Sequence, residues 1–159
     1  MASLKGHSTE GVATIMRTLR ELKTQMERNP PEIDVHAYDL SNSLQCGILE
    51  CILLNNQIVD EFVKVGGMPD IARIVQEQPM PSELEDEFEY NSNYVNKSFK
   101  PAIKCIMQSV RDEKAILEFM AVGDWMERML QIAEEFTDEE VTISVLRTLK
   151  LIFKSDAAF

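Results

Sequence analysis

The stretch VDEFVKVGGMPDIARIVQEQ, residues 59–78, carries the pattern that decides the fold. Its apolar residues recur three and four positions apart on both sides of Gly66-Gly67, which predicts two short amphipathic helices joined by a tight turn. A glycine pair before a helix can also hold a phosphate, but no strand leads into this one and no Gly-Lys-Ser/Thr follows. We therefore interpret the pair as a turn, with Gly67 at a close approach of two helices and Pro69 in the first turn of the second.

A second copy of this pattern follows in residues 116–136, ILEFMAVGDWMERMLQIAEEF. The two copies match at an offset of 57 residues, which places Gly66 on Gly123, and one inserted residue, Asp124, precedes the next helix. A ligand-binding loop is not expected to recur with the surrounding apolar faces in register, whereas a helix–helix turn is. The recurrence therefore favours a structural role for both turns.

A third, longer helix completes each copy. Residues 40–54 match residues 97–111 at the offset of 57, and residues 100–111 match the C-terminal helix at an offset of 43. A unit of about 43 residues therefore recurs, with one loop enlarged by the acidic, proline-containing segment 77–92. The apolar residues that align are Cys46, Leu49 and Leu53, then Ile103, Ile106 and Val110, then Leu146, Leu149 and Phe153.

The whole chain of 159 residues is predicted to be all-α, because strand-like alternation is nowhere convincing. We expect one domain. Residues 1–39 form an N-terminal capping helix and loop, residues 40–111 a repeat region containing the solvated acidic loop 77–92, and residues 112–155 a C-terminal repeat. The continuously apolar helix within residues 40–54 is expected to be buried on more than one side.

Three helices in about 42 residues, with glycine after the first, resemble the armadillo repeat. FVKVGGMPDIARIV is similar to the junction of its first and second helices, and FMAVGDWMERMLQIA to a degenerate second copy. The resemblance covers roughly residues 40–155 and implies a right-handed superhelical stack of about three irregular repeats. HEAT-like repeats are a near neighbour, and formin regulatory regions and the N-terminal regions of engulfment adaptors resemble this kind of irregular array.

The resemblance also implies a function, because the third helices of armadillo arrays line a concave face that binds partners. Peptide-binding members carry Trp and Asn about four residues apart on that helix. The equivalent positions here are Cys46 and Glu50, then Ile103 and Met107, so their way of gripping a nuclear-localisation peptide is not expected.

Basic residues recur at helical spacing on the predicted third helices. In the repeat register Lys104 aligns with Arg147 and Arg111 with Lys154, so stacked third helices would form a two-helix basic ladder. We predict a groove for an acidic or amphipathic peptide or helix. The alternatives are an ordinary polar face of two helices, or a surface over which the acidic loop folds as a lid. The predicted partner-binding residues are Lys97, Lys100, Lys104, Arg111, Arg147, Lys150 and Lys154.

Composition excludes several classes of function. A net charge of −11, from 27 acidic and 16 basic residues, argues against a nucleic-acid binder. No apolar run is long enough for a membrane span, and the N-terminus has no secretory pattern. Three cysteines among aliphatic residues predict buried free thiols in a reducing compartment, and hence a cytoplasmic protein.

No motif indicates catalysis, a metal or a cofactor. His7 and His36 lack nucleophilic or acidic neighbours in a recognisable arrangement, and the acidic segment lacks the glycine and ligand spacing of a calcium loop. Trp125 is predicted to pack in the core or between repeats. We therefore expect a non-enzymatic scaffold or adaptor. The alternatives are an autoinhibitory or small-GTPase-responsive, formin-like regulatory domain, or an oligomerisation domain that forms a homo-oligomer through the face around Phe153.

Overall fold

The computed structural model describes residues 2–28, 35–83 and 96–156, and every structural statement below refers to these ranges. They contain α-helices, one short 3-10 turn at Pro81–Glu83 and no strand, so the prediction of an all-α fold is confirmed. The helices are α1 (Ala2–Arg28), α2 (Val35–Ile52), α3 (Asn56–Lys64), α4 (Gly67–Glu77), α5 (Phe99–Ser109), α6 (Glu113–Met120), α7 (Trp125–Glu135) and α8 (Glu139–Lys154).

Three helices, α2, α5 and α8, lie side by side in that order. Helices α2 and α5 run parallel, because Ser98 at the start of α5 bonds to Asp39 near the start of α2, and Arg111 after α5 bonds to Leu53 after α2. Behind this row, α4 packs on α5 and α7 packs on α8. The short helices α3 and α6 contact each other, and α1 covers α2, α3 and α4.

Helix α5 is the centre of the core. Phe99, Ile103 and Ile106 have no exposed surface, and no residue of α5 falls in the exposed class. The Phe99 ring lies against Phe136, which follows α7, with ring centroids 4.9 Å apart. Burying these side chains between α2, α4 and α8 removes apolar surface from water on every side of the helix except one narrow strip.

Helix α2 is buried along one stripe rather than on more than one side, so that prediction is wrong. Cys46 and Leu49 are buried, whereas Leu44 and Ile48 on the opposite side are 61% and 50% exposed. The reason is position in the row: α1 and α5 cover α2, and no described helix covers its remaining side. The helix also begins at Val35, inside the segment 1–39 that the sequence predicts to be a capping helix and loop.

The turn between α3 and α4 is built as predicted. Gly66 adopts a left-handed conformation with φ 73°, which glycine reaches at little cost. Gly67 begins α4 and is buried, and a Cβ atom at this position would overlap the ring of Phe62. Pro69 lies in the first turn of α4, where its missing N–H leaves no helical hydrogen bond unmade.

The second copy of the turn is built differently. The left-handed residue before α7 is Asp124, with φ 60°, whereas Gly123 has no left-handed conformation and open space around it. The predicted equivalence of Gly66 and Gly123 is therefore wrong, and the structural counterpart of Gly66 is Asp124. The extra residue of this turn lies before the left-handed residue. Aspartate adopts a left-handed conformation more readily than most residues do.

The start of the predicted acidic loop is not solvated. Gln78 and Met80 are fully buried, because the chain after α4 returns into the core before Pro81–Glu83. The Gln78 side-chain carbonyl accepts a hydrogen bond of 2.7 Å from the backbone N–H of Asn96. The rest of that loop, 84–92, lies outside the described residues, and the alternative in which it folds over the basic residues as a lid stays a prediction.

Gly67→Ala is expected to lower the free energy of unfolding by about 1–3 kcal/mol, because the added methyl group would displace the buried Phe62 ring. Urea denaturation followed by circular dichroism measures this change. Gly123→Ala is the matched control. Its site is open and its backbone is not left-handed, so a change within about 1 kcal/mol is expected there. Equal destabilisation at both positions would contradict the close-approach explanation.

Candidate partner-binding surface

The row of α2, α5 and α8 carries the predicted basic residues, but at different places. Lys100 and Lys104 project from α5, and Arg111 directly follows that helix. Arg147, Lys150 and Lys154 belong to the second half of α8. The surface therefore divides into a part near the N-terminal ends of α5 and α8 and a part near their C-terminal ends.

Lys97 does not share a helical face with the other lysines, because α5 begins only at Phe99. Its backbone N–H donates to the Asp39 carboxylate at 2.7 Å, and the backbone N–H and hydroxyl of Ser98 donate to the same carboxylate. Asp39 therefore caps the start of α5 from the neighbouring helix α2. A carboxylate at this place satisfies free N–H groups and complements the positive end of the helix dipole.

Lys100 and Lys104 are held in ion pairs within the chain. The Lys100 ammonium lies 2.9 Å from Asp138 and 3.4 Å from Glu140. The Lys104 ammonium lies 3.3 Å from Glu140 and 3.6 Å from Glu50 on α2. These two lysines link α2, α5 and the start of α8, so the predicted free ladder does not include them.

The electrostatic effects of these pairs are reciprocal. The hydrogen bond to Asp138 raises the pKa of Lys100, and the hydrogen bond from Lys100 lowers the pKa of Asp138. The hydrogen bonds from Lys104 and Lys100 lower the pKa of Glu140.

A groove of about 920 Å³ lies around Lys100, Lys104 and Asp138, and Phe136 and Val141 also line it. Because its cations and anions neutralise each other, this groove has no excess of positive charge to offer an anionic partner.

Arg111 is an anchor between two helix ends. Its guanidinium donates one hydrogen bond to the carbonyl of Leu53, just beyond α2, and another of 2.8 Å to the carbonyl of Gln108. Carbonyl groups at a helix C-terminus lack helical partners and carry the negative end of the dipole. Arg111 therefore helps to fix α5 against α2 and contributes its remaining charge to the neighbouring surface.

Arg147, Lys150 and Lys154 are exposed and form no ion pair with any residue that the structure describes. Together with Arg111, they surround a groove of about 410 Å³ between the C-terminal halves of α5 and α8, which we call the basic groove. Lys154 lies in the last turn of α8, where a cation is favourable. The remaining residues that line the basic groove are Met107, Gln108 and Leu151.

Two further arginines, which the sequence did not single out, act in the same way as Arg111. Arg20 on α1 donates to the carbonyls of Val65 and Gly66 and forms a 2.7 Å ion pair with Asp70. Arg128 on α7 donates to carbonyls at the end of α4, at 2.7 and 2.8 Å. Because the acceptors are backbone groups, no residue type in the sequence marks them.

The cysteines match the prediction only in part. Cys46 and Cys105 are buried and all three thiols are free, but Cys51 is exposed. It lies on the uncovered side of α2, which explains the error. The Cys105 thiol donates to the carbonyl of Cys46 at 3.2 Å, and burial raises its pKa well above the ordinary value, so this thiol stays protonated and unreactive.

The described ranges contain no group of three or more His, Cys, Asp or Glu side chains that could hold a metal ion. None of the helices in these ranges is long and apolar enough to cross a membrane. The side chains of His7 and His36 lie outside the described residues, and Trp125 is half-buried, with its ring 5.5 Å from Phe119. Comparison of the chain with protein families, with curated proteins and with solved structures finds no match.

Arg111→Met is expected to lower the free energy of unfolding by about 1–2 kcal/mol, because it removes a charged donor from the end of α2. Lys150→Met is the control on the same groove. This lysine is exposed and has no ion-pair partner among the described residues, so the change should stay within about 0.5 kcal/mol. Urea titrations of both variants give these values. Equal effects would show that Arg111 is not an anchor.

Asp138 has two roles that substitutions can separate. Its side chain accepts the Val141 N–H at the start of α8 and pairs with Lys100. Asp138→Ala should lower the free energy of unfolding by about 1 kcal/mol at pH 7. Asp138→Asn keeps a cap and should lower it by only a few tenths of a kcal/mol, since the pair is partly exposed.

The lowered pKa of Asp138 means that the pair stabilises the fold above about pH 4 and that this contribution is lost on acidification. Wild type and Asp138→Asn should therefore converge in stability once the pH falls below the lowered pKa of Asp138; a constant difference would contradict the pairing.

Proposed function

We propose that this chain is a non-enzymatic protein-interaction module that holds an acidic partner peptide or helix on the face formed by α2, α5 and α8. In this proposal the chain is an armadillo-like array of about three irregular repeats, capped by α1. The order short helix, turn with a left-handed residue, second helix and third helix occurs in α3–α5 and again in α6–α8, and the third helices lie side by side. The three free thiols support a reducing, cytoplasmic location.

The basic groove is the observation that carries the functional proposal. Arg147, Lys150 and Lys154 lie within two turns of one helix and have no counter-ions among the described residues. In the same row, Lys100 and Lys104 are neutralised by carboxylates. A group of exposed cations in a chain of net charge −11 attracts an anionic ligand locally, although the chain as a whole is acidic.

A peptide fits this groove better than a nucleic acid does. Nucleic-acid binding needs many Lys and Arg contacts along a regular phosphate backbone, and the acidic remainder of the chain would repel that backbone. A peptide supplies a few carboxylates at chosen positions. It can also supply apolar side chains to Met107 and Leu151, which line the groove beside the cations. Both features fit an acidic, partly apolar peptide.

Arg147→Glu is expected to weaken binding of an acidic peptide about tenfold or more, because it places a like charge in the basic groove. The probe is a fluorescent synthetic peptide of Glu, Leu and Ala, about four helical turns long, and the readout is anisotropy at low and moderate salt. Arg17→Glu is the control, since it makes the same charge change on the exposed face of α1.

Arg17→Glu should leave the affinity within about twofold of wild type, and added salt should weaken binding to wild type more than to Arg147→Glu. Circular dichroism and urea titration confirm that both variants remain folded. Equal affinities of the Arg147→Glu and Arg17→Glu variants, or no binding of the acidic peptide to the wild type, would contradict the proposed function.

A further inference from the structure

The outer side of α8 exposes apolar residues at positions where α5 buries them. Leu146 and Phe153 are 54% and 50% exposed. The residues that align with them in the repeat register are Ile103 of α5 and Val110 directly after it, and both are buried. Helix α5 is covered because α8 packs beside it, whereas no described helix packs beside α8 on its other side. The register therefore marks this side of α8 as a place that accepts a helix.

The contact between α5 and α8 shows which charges such a helix needs. The two helices run parallel, since the start of α5 meets the start of α8: Lys100 and Lys104 of α5 pair with Asp138 and Glu140. In the repeat register Lys104 corresponds to Arg147, and Arg147 has no such carboxylate among the described residues. By charge complementarity, the next helix in this position carries acidic residues in its first turn.

The exposed half of α8 is arranged in two rows. At about 100° per residue, Lys150 lies at the middle, with Leu146 and Phe153 on one side and Arg147 and Lys154 on the other. The apolar row faces the position of the next helix, and the basic row borders the basic groove. A helix seated against this surface would bury its own apolar stripe on the first row and direct carboxylates to the second.

We infer, on the basis of the proposed function, that the partner segment is an amphipathic helix with an acidic first turn, which packs parallel to α8 as α8 packs on α5. Its apolar residues, spaced about two turns apart, cover Leu146 and Phe153, and its first-turn carboxylates pair with Arg147. This specifies a helix rather than an extended acidic peptide. It also places the contact on the outer side of α8 together with the basic groove.

A second copy of this chain fits the surface less well. The first turn of α2 has no acidic residue, although Leu44 and Ile48 are exposed along it. Helix α7 has Glu127 in its first turn, but Leu130 is its one exposed large apolar residue, whereas the surface offers two. Helix α6 has Glu113 in its first turn, but Leu117 is its one exposed large apolar residue. Helix α8 itself has an acidic first turn and an apolar stripe, but Glu140 of that turn is already paired with Lys100 and Lys104.

Two peptides of identical composition test the inference. Each contains Leu, Glu, Ala and Lys over about four helical turns. One places the leucines on a single stripe with the glutamates in its first turn, and the other disperses the leucines. Binding to the full chain is measured by anisotropy, and helix formation on binding by circular dichroism. The striped peptide should gain helix and bind about tenfold more tightly than the dispersed one.

Leu146→Ser should weaken binding of the striped peptide about tenfold and leave the dispersed peptide unchanged. Leu117→Ser on α6 is the control, because Leu117 is 53% exposed and lies away from the surface. It should change neither affinity. A third peptide, with its glutamates moved to the last turn, should bind more weakly if the helix lies parallel to α8.

Each contrary result is distinct. In one case both peptides bind the wild type equally, bind Arg147→Glu more weakly, and bind Leu146→Ser as tightly as the wild type. The surface then recognises charge alone, so the helix inference is wrong while the proposed function stands. If no acidic peptide binds, both are wrong. If sedimentation velocity shows a dimer that Leu146→Ser dissociates, the occupant is a second copy and the inference is overturned.

Discussion

The rest of the structure depends on the burial of α5. Phe99, Ile103 and Ile106 have no exposed surface, so α2, α4 and α8 must close around them. This burial removes apolar surface from water, and it fixes which helices are neighbours. Lys100 and Lys104 leave the core by the one strip that remains open, between α2 and α8. Their ion pairs with Glu50 and Glu140 are a consequence of that packing.

Charged side chains then fix the helix ends. The guanidinium groups of Arg20, Arg111 and Arg128 donate to carbonyls at or just beyond the ends of α3, α2 and α4, and Asp39 accepts N–H groups at the start of α5. Each contact satisfies a backbone group that has no partner within its own helix. Each one also joins two different helices. Together they set the positions of helices whose apolar faces would tolerate some sliding.

The surface of the helix row has an unequal distribution of charge for the same reason. At the start of α8 the acidic first turn neutralises the lysines of α5, because α8 lies directly beside α5. Towards the end of α8, Arg147, Lys150 and Lys154 have no carboxylate partner among the described residues, and Leu146 is exposed. The proposed partner helix follows from this difference. Lys104 of α5 has a carboxylate partner, whereas Arg147, which aligns with it in α8, has none among the described residues.

The sequence by itself determined the helices and the close approach at Gly67, because apolar periodicity and a crowded glycine are local properties. It predicted Lys104 and Arg147 as equivalent members of one ladder, Cys51 as buried and Gly123 as the counterpart of Gly66. The tertiary structure decided otherwise in each case. Whether a lysine is free, a thiol exposed or a turn left-handed depends on which helix lies beside it and where an inserted residue is absorbed. Those neighbours come from distant parts of the chain, and local sequence patterns do not predict which distant segments will be in contact.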